Sequence, residues 1–330
     1  LFNLNTAINT INQFTSYTKC YTNNGNANGN ANGNANGNSN GEVDIQCLQN
    51  LTTLEITTAQ LNINQIDIDS GGTGIAYAPT VDNVEINTHP WLALANGNFN
   101  HVPILHGTNT DEGVSFFPLK KTCNKKELDF YWSKFSNLDI NELTNLYLNE
   151  KAIKLNYPQE AIQAGIYSVY YFAGERSLGD YIFSCAAKYS SQKISELSDS
   201  PIYAYHFEHA TTRNDDNNIV VPHASELPYV LHLTTSKTLG HLTNSSDIQM
   251  ANFVATYFGN FLLSDNSDPN EQIIGKNDDF TLPKWEKYNN DNDMMLAFTQ
   301  DDKLKNISGL KKDECDFWIP RITASIEALF

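Results

Sequence analysis

Glu112 and His223 are the two residues of this chain whose types and settings combine into a definable chemistry. Glu112 lies just beyond a short apolar run, Val102-Pro103-Ile104-Leu105, that reads as the end of a buried strand. Gly107 and an Asn-Thr-Asp turn lead to Glu112-Gly113, and apolar sequence resumes at Phe116-Phe117. A carboxylate just past the C-terminal end of a buried strand sits where open α/β sheets collect their functional groups. His223 follows about a hundred residues later, in a loop between apolar stretches, with Glu226 three residues on. A loop acid followed at long range by a loop histidine is one of the chain orders in which a nucleophile–histidine–acid triad occurs. In that chemistry the imidazole takes the proton of a serine hydroxyl and later hands it to the leaving group. The carboxylate fixes the ring's tautomer and stabilises the imidazolium that forms. Each residue alone has a plainer reading, a solvated loop glutamate and a structural histidine; the combination carries the expectation.

The elements that must position this pair are mostly legible as periodicities. Residues 2–19 place Phe2, Leu4, Ile8, Ile11 and Phe14 at helical spacing, and the segment from Cys47 to about Leu61 is helical again. His89–Gly97 reads as a short helix with Pro90 at its first position. From Lys125 to Ser191 the pattern is mostly helical, and Tyr167, Tyr170, Tyr171 and Phe172 within it read as core or as the lining of a gorge. Pro201 opens an alternating strand, Ile202–Phe207, and a polar loop covers Thr211–Asn218. Asp247–Leu263 is an amphipathic helix ended by the polar turn Asp265–Glu271. Pro283-Lys284-Trp285 begins a strand region that runs through Met294–Phe298, and a helix around Cys315–Leu329 closes the chain. Gly71-Gly72-Thr73-Gly74 lacks the Lys-Ser/Thr of a phosphate loop and reads as an ordinary turn.

The 330 residues are enough for one large domain or two smaller ones, and 40% hydrophobic residues with 11% aromatics describe a globular chain. A formal net charge of −17 argues against nucleic acid and against an anionic membrane surface, and mildly favours neutral or cationic small ligands. No apolar run approaches a membrane span, and no motif calls for a cofactor or a metal. The Asn/Gly/Ala repeats of Asn23–Gly41 cannot bury enough apolar surface to offset their ordering entropy, so they read as a surface insertion. Five cysteines without a Cys-x-x-Cys pair allow two disulfides and a free thiol, or five buried thiols. Sequons at Asn50, Asn244 and Asn306, taken with the cysteines, tilt the expectation to a secreted or vesicular location. The chain begins at Leu1 and reads as a fragment.

Several stretches in order resemble the C-terminal part of a type B carboxylesterase, the family that contains the cholinesterases and the catalytically silent neuroligins. Tyr77-Ala78-Pro79-Thr80-Val81-Asp82 is similar to that family's F-x-P-x-x-D strand. Residues 103–113 (PILHGTNTDEG) resemble its G-x-N-x-D-E-G acid loop, and residues 201–209 (PIYAYHFEH) its Y-x-Y-x-F-x-H strand. Residues 221–230 (VPHASELPYV) resemble the V-x-H-x-x-E-L/I-x-Y/F-V histidine loop. Asn260-Phe261, Asp268-Pro269-Asn270 and Pro283-Lys284-Trp285 are similar to the N-F-A…G-D/N-P-N…W-P module. The resemblance covers essentially the whole chain. It implies an α/β fold, the C-terminal part of an α/β-hydrolase with a mixed, mostly parallel sheet flanked by helices, in a single domain over residues 1–330 that carries the insertion at 23–41. It further implies Glu112 as triad acid, His223 as general base and Glu226 as a carboxylate supporting the histidine loop. Cys20/Cys47 and Cys185/Cys315 stand where family members place two disulfides, Cys47-Leu48 is similar to a C-L-R motif, and Cys123 would be a free thiol. A Cys20–Cys47 bridge would close a loop holding the whole insertion, at little cost because closure entropy grows only logarithmically with length.

What the chain lacks shapes the functional expectation. No Gly-x-Ser-x-Gly occurs, Ser115 and Ser225 are not on a nucleophile elbow, and no Gly-Gly run stands where the family draws its oxyanion hole. In the family both parts precede the Cys20/Cys47 region. The expectation is therefore a carboxylic-ester hydrolase, acting on a small-molecule ester, in which this stretch supplies the acid and the histidine. By itself it should give little or no turnover, because serine attack and oxyanion stabilisation carry most of the barrier reduction. Strands left without neighbours would present unpaired edges. The alternatives are a catalytically inactive adhesion or structural member of the same fold, or a truncated product without function. Phe116 and Phe117 stand near the acid loop, where cholinesterases place aromatics for cation–π binding, but Val114-Ser115 leaves their register open. Nothing in the sequence sets the oligomeric state.

Overall fold

A computed structural model describes residues 4–22, 42–69, 77–135, 138–210, 220–233, 242, 244–274, 281–299 and 303–329. The insertion at 23–41, the glycine cluster at 71–74 and the polar loop at 211–218 lie outside the described residues. The chain divides into two compact units, one formed mainly by residues 1–90 and the other by most of residues 91–325.

In the first unit, helix α1 (Leu4–Thr18) packs on α3 (Thr53–Asp69), which buries Ala59 and Ile63. Between them a two-stranded antiparallel ribbon, β1 (Tyr21–Thr22) and β2 (Glu42–Val43), leads into the short helix α2 (Ile45–Gln49). The side chain of Asp44 caps α2 by accepting the Cys47 N–H at 2.9 Å. Cys20 and Cys47 are bonded, with Cα atoms 5.3 Å apart, so the bridge closes the base of the ribbon from which the insertion emerges. Residues 77–82, expected as a strand, form none: only Thr80 makes a bridge, and the Asp82 carboxylate instead gathers the N–H groups of Val84, Glu85 and Ile86 into a turn at 2.9–3.0 Å. Pro79 has no N–H to give to a ladder, which favours the same outcome.

The second unit is built on a four-stranded sheet of order β3 (Ile104–Asn109), β4 (Ile202–Phe207), β5 (Met294–Phe298), β6 (Leu304–Ser308). The first three strands run parallel, in register Asn109↔Phe207↔Phe298, and β6 pairs antiparallel with β5. All six residues of β4 are buried, as expected of a strand covered on both faces. Tyr203, Tyr205 and Phe207 pack with Met250, Val254 and Tyr257 of α12 (Ser245–Leu263), with Trp285 and with Phe298. Ile202 and Ala204 face the other way, onto Ile194 of α10 (Cys185–Leu197), Tyr288 and Met295. Among the described residues β3 has β4 as its one neighbour, so its outer edge is unpaired.

The long helical region resolves into separate pieces, and Asn124, Asp139, Asn149 and Ser168 each start one with a side chain that accepts one of the first free backbone N–H groups. After α4 (Pro90–Ala95) come α5 (Lys125–Trp132), with a full capping box from Asn124 and Glu127, and α6 (Ile140–Tyr147), capped by Asp139. Then follow α7 (Glu150–Asn156), α8 (Gln159–Gln163) and α9 (Val169–Gly179), the last capped by Ser168. A single π-helical turn, Asp180–Ser184, joins α9 to α10. Later, α11 (Leu227–Val230) precedes α12, and α13 (Lys312–Glu327) ends the chain, bound to α10 by the Cys185–Cys315 disulfide. Tyr167, Tyr171 and Phe172 are core residues, at 0–4% exposure. Pro283-Lys284-Trp285, expected to begin a strand region, form no ladder. Asparagine amides take over its backbone groups: Asn270 receives the Trp285 N–H at 2.7 Å and donates to its carbonyl at 3.1 Å. Asn306 receives the Glu286 N–H at 3.2 Å and donates to the Lys284 carbonyl at 2.8 Å. The strand β6 itself was not apparent in the alternation of Leu304–Ser308.

Candidate active site

Strand β3 ends at Asn109, and the chain turns into one 3-10 turn, Glu112–Ser115. The turn is held by its own carboxylate, since Glu112 Oε1 accepts the Asn109 N–H at 2.7 Å. Glycine is required at the next position: a Cβ on Gly113 would stand 1.9 Å from the carbonyl oxygen of Glu175, so α9 lies directly against the acid turn. The histidine loop is tied to the same turn. Asp111 donates its N–H to the Val221 carbonyl at 3.0 Å, and its Oδ2 accepts the Val221 N–H at 2.8 Å. Asn109 Nδ2 donates to the Pro222 carbonyl at 3.0 Å and to Glu226 Oε2 at 2.5 Å. Ala224, with φ of 69°, turns the chain sharply after His223 and into α11.

These bonds bring Glu112 and His223 together across 111 positions of sequence, with Nδ1 of the imidazole 2.7 Å from Glu112 Oε2. The Glu112 side chain is 6% exposed and that of His223 43%. Burial pushes the Glu112 carboxyl above the usual carboxylate range, the nearby Glu226 adding to the rise, while the Asn109 N–H and His223 hold it back. With the carboxylate ionised, Nδ1 carries the proton and donates it, which leaves the lone pair on Nε2. Nε2 has no hydrogen-bond partner among the described residues. The ring is held on its sides by Phe183, stacked at 4.5 Å, and by Phe116, edge-on at 5.5 Å. Phe117 turns inward instead, against Tyr131, Tyr171 and Gly174. That settles the register left open by Val114-Ser115. Cys123 is a buried free thiol, its Sγ 3.8 Å from Ser168 Oγ, away from this site.

Sequence reasoning singled out Glu112, His223 and Glu226, and the structure gathers all three around the amide of Asn109. It missed Asn109, Asp111, Arg176 and Phe183. Arg176 carried a readable signal, since an arginine in the middle of a largely apolar helix must find a carboxylate when buried. Phe183 carried none, because it reaches His223 from the π-helical turn, and a π-turn shifts the helical face by one residue.

Residues 6–318 match the pattern of the Carboxylesterase family. The chain belongs to that family. Its four-stranded mixed sheet flanked by helices fits the α/β class of that family. The chain is 23% identical over 269 residues to acetylcholinesterase 1 of Caenorhabditis elegans, covering 76% of this chain and 42% of the relative. To carboxylesterase 1E of Mus musculus it is 24% identical over 292 residues, covering 83% of this chain and 47% of that protein. The cholinesterase of Mus musculus is 26% identical over 251 residues, 74% of this chain and 39% of that protein. The carboxylesterase-family chain thus spans less than half the length of these relatives.

Proposed function

We propose that this chain supplies the acid and the general base of a serine carboxylic-ester hydrolase whose nucleophile and oxyanion donors lie outside it. The observation that carries the reading is the 2.7 Å hydrogen bond from a half-exposed imidazole to a buried carboxylate at the end of a parallel strand. Glu112 fixes the Nδ1–H tautomer, and His223 Nε2 accepts the proton of a serine hydroxyl as it attacks the ester carbonyl. The same nitrogen then returns the proton to the leaving alcohol, and the cycle repeats with water. Glu226, through Asn109, holds the histidine loop against the acid turn. The substrate class is a small carboxylic ester. Phe116 offers an aromatic face beside the imidazole, and the net charge of −17 suits a neutral or cationic ester over an anionic one.

In this reading the protein is secreted or vesicular, in keeping with its two disulfides. Asn50 is exposed at the end of α2, its Nδ2 donating to the Gln46 carbonyl at 2.8 Å. Asn244 caps α12, and both sides of the Asn306 amide are bound to backbone. The test is turnover of short-chain nitrophenyl esters by the complete protein that contains this chain. A His223→Ala variant should lose about 10³–10⁴-fold in kcat/KM. Wild-type rates in that variant overturn the assignment, and an inactive wild type favours a non-catalytic member of the fold.

A further inference from the structure

Behind the acid turn lies a cluster of three charged side chains, each no more than 7% exposed: Asp111, Glu175 and Arg176. Arg176, on α9, donates to Asp111 Oδ1 through both Nη2, at 2.5 Å, and Nε, at 2.9 Å. Its Nε also donates to Glu175 Oε1 at 2.9 Å. A buried guanidinium facing two carboxylates would leave one negative charge uncompensated. Burial, together with the charge of Asp111, pushes the Glu175 carboxyl well above its usual range, and the guanidinium makes two of its three hydrogen bonds to Asp111.

Asp111 is the residue before Glu112, and its second oxygen accepts the N–H of Val221, two residues before His223. One carboxylate therefore joins three elements: α9 through Arg176, the acid turn through its own backbone, and the histidine loop through Val221. Neither Asp111 nor Arg176 touches the Glu112–His223 hydrogen bond. Both of Asp111's oxygens are engaged, so freeing one from Arg176 leaves a buried charge that must find another partner or draw in water. Either response moves the turn that carries Glu112. Gly113 and Gly179 already bring α9 to van der Waals contact with that turn, so it has no room to adjust by small shifts.

We propose that Arg176 is a positioning residue for the Glu112–His223 pair, acting through Asp111 to hold the acid turn and the histidine loop at hydrogen-bonding distance. The proposal rests on the hydrolase reading for its effect on rate, but its geometric part does not. The test uses the complete protein with Arg176→Lys, which keeps the buried positive charge but loses the two-pronged donation, and with Arg176→Gln. Two readouts are taken: the low-field proton resonance of the His223 Nδ1–H, and kcat and KM for a short-chain nitrophenyl ester. Arg176→Gln should abolish the resonance and lower kcat about 100-fold with KM within about twofold. Arg176→Lys should retain a weakened resonance and recover kcat to within about tenfold of wild type. An unchanged resonance and unchanged kcat in both variants overturn the proposal. If Arg176→Gln fails to fold, Arg176→Lys decides by the same two readouts. Loss of the resonance in a protein whose wild type shows no esterase activity supports the positioning role while refuting the hydrolase reading.

Discussion

Among the described residues, two histidine–carboxylate pairs of nearly identical geometry lie in very different surroundings. His223 lies 2.7 Å from Glu112, and His209 lies 2.8 Å from Asp247. The His209 pair is completely buried, with both side chains at 0% exposure, and Asp247 also accepts the Tyr229 hydroxyl at 3.0 Å. It joins the end of β4 to the first turn of α12 and to α11, and so works as a bolt between elements. His223 differs in one respect that matters chemically: its ring is 43% exposed while its carboxylate is not. A hydrogen bond that orients an imidazole is useful to a reacting molecule only if the other nitrogen can be reached. Pair geometry alone therefore does not mark a catalytic histidine; the asymmetry of burial across the pair does.

The widest separation between the two pairs should appear in turnover by the complete protein. Glu112→Gln should lower kcat/KM about 10³-fold or more, because the amide no longer enforces the tautomer with its lone pair on Nε2. Asp247→Asn should leave kcat/KM per folded molecule within about twofold. Stability should show the reverse order in denaturant titrations. His209→Ala removes one partner of a buried pair and should cost about 3 kcal/mol or more. His223→Ala also takes a partner from a buried carboxylate, but through a half-exposed imidazole whose place water can take, and should cost less, about 1 kcal/mol.

The contrast extends to pH. His106, half-buried and bonded to Ser191 Oγ at 2.7 Å, and the buried His206 have pKa values lowered by desolvation to about 4 and about 3. Above about pH 6.5 neither the folded nor the unfolded chain protonates them. Below that the unfolded chain takes up protons first, so stability falls with pH between about 6.5 and about 4, by about 3 kcal/mol for His106. Urea midpoints measured across that range check the slope. Glu112 has the opposite sign. Its folded-state pKa is raised, so its favourable contribution is complete below the unfolded carboxylate pKa and disappears as pH rises through the folded value. At neutral pH the buried carboxylate is a burden, and Glu112→Gln should raise stability while destroying turnover. A loss of stability in that variant would mean the hydrogen bond outweighs the burial cost.

The parts of this arrangement that the sequence displayed are those fixed by local periodicity or by a tight turn. Ile202–Phe207, Asp247–Leu263 and the acid turn around Gly113 all stand out because each must satisfy its own backbone in a few residues. The parts it hid depend on distant partners. The stretch that opens at Pro283-Lys284-Trp285 looks like a strand until Asn270 and Asn306 take its backbone hydrogen bonds. Phe183 reaches His223 through a π-turn that no helical periodicity anticipates, and Asp111 looks like any loop acid until Arg176 meets it from α9. The two pairs themselves were equally hidden as a contrast, since burial is a property of the assembled sheet and not of the His–acid spacing.

The most direct test of the central claim is a double-mutant cycle on kcat/KM in the complete protein, with Glu112→Gln, His223→Ala and both together. If Glu112 acts only by orienting His223, the double variant should be no slower than His223→Ala alone. Losses that multiply across the two positions would show that the carboxylate and the imidazole act independently, and would contradict the account.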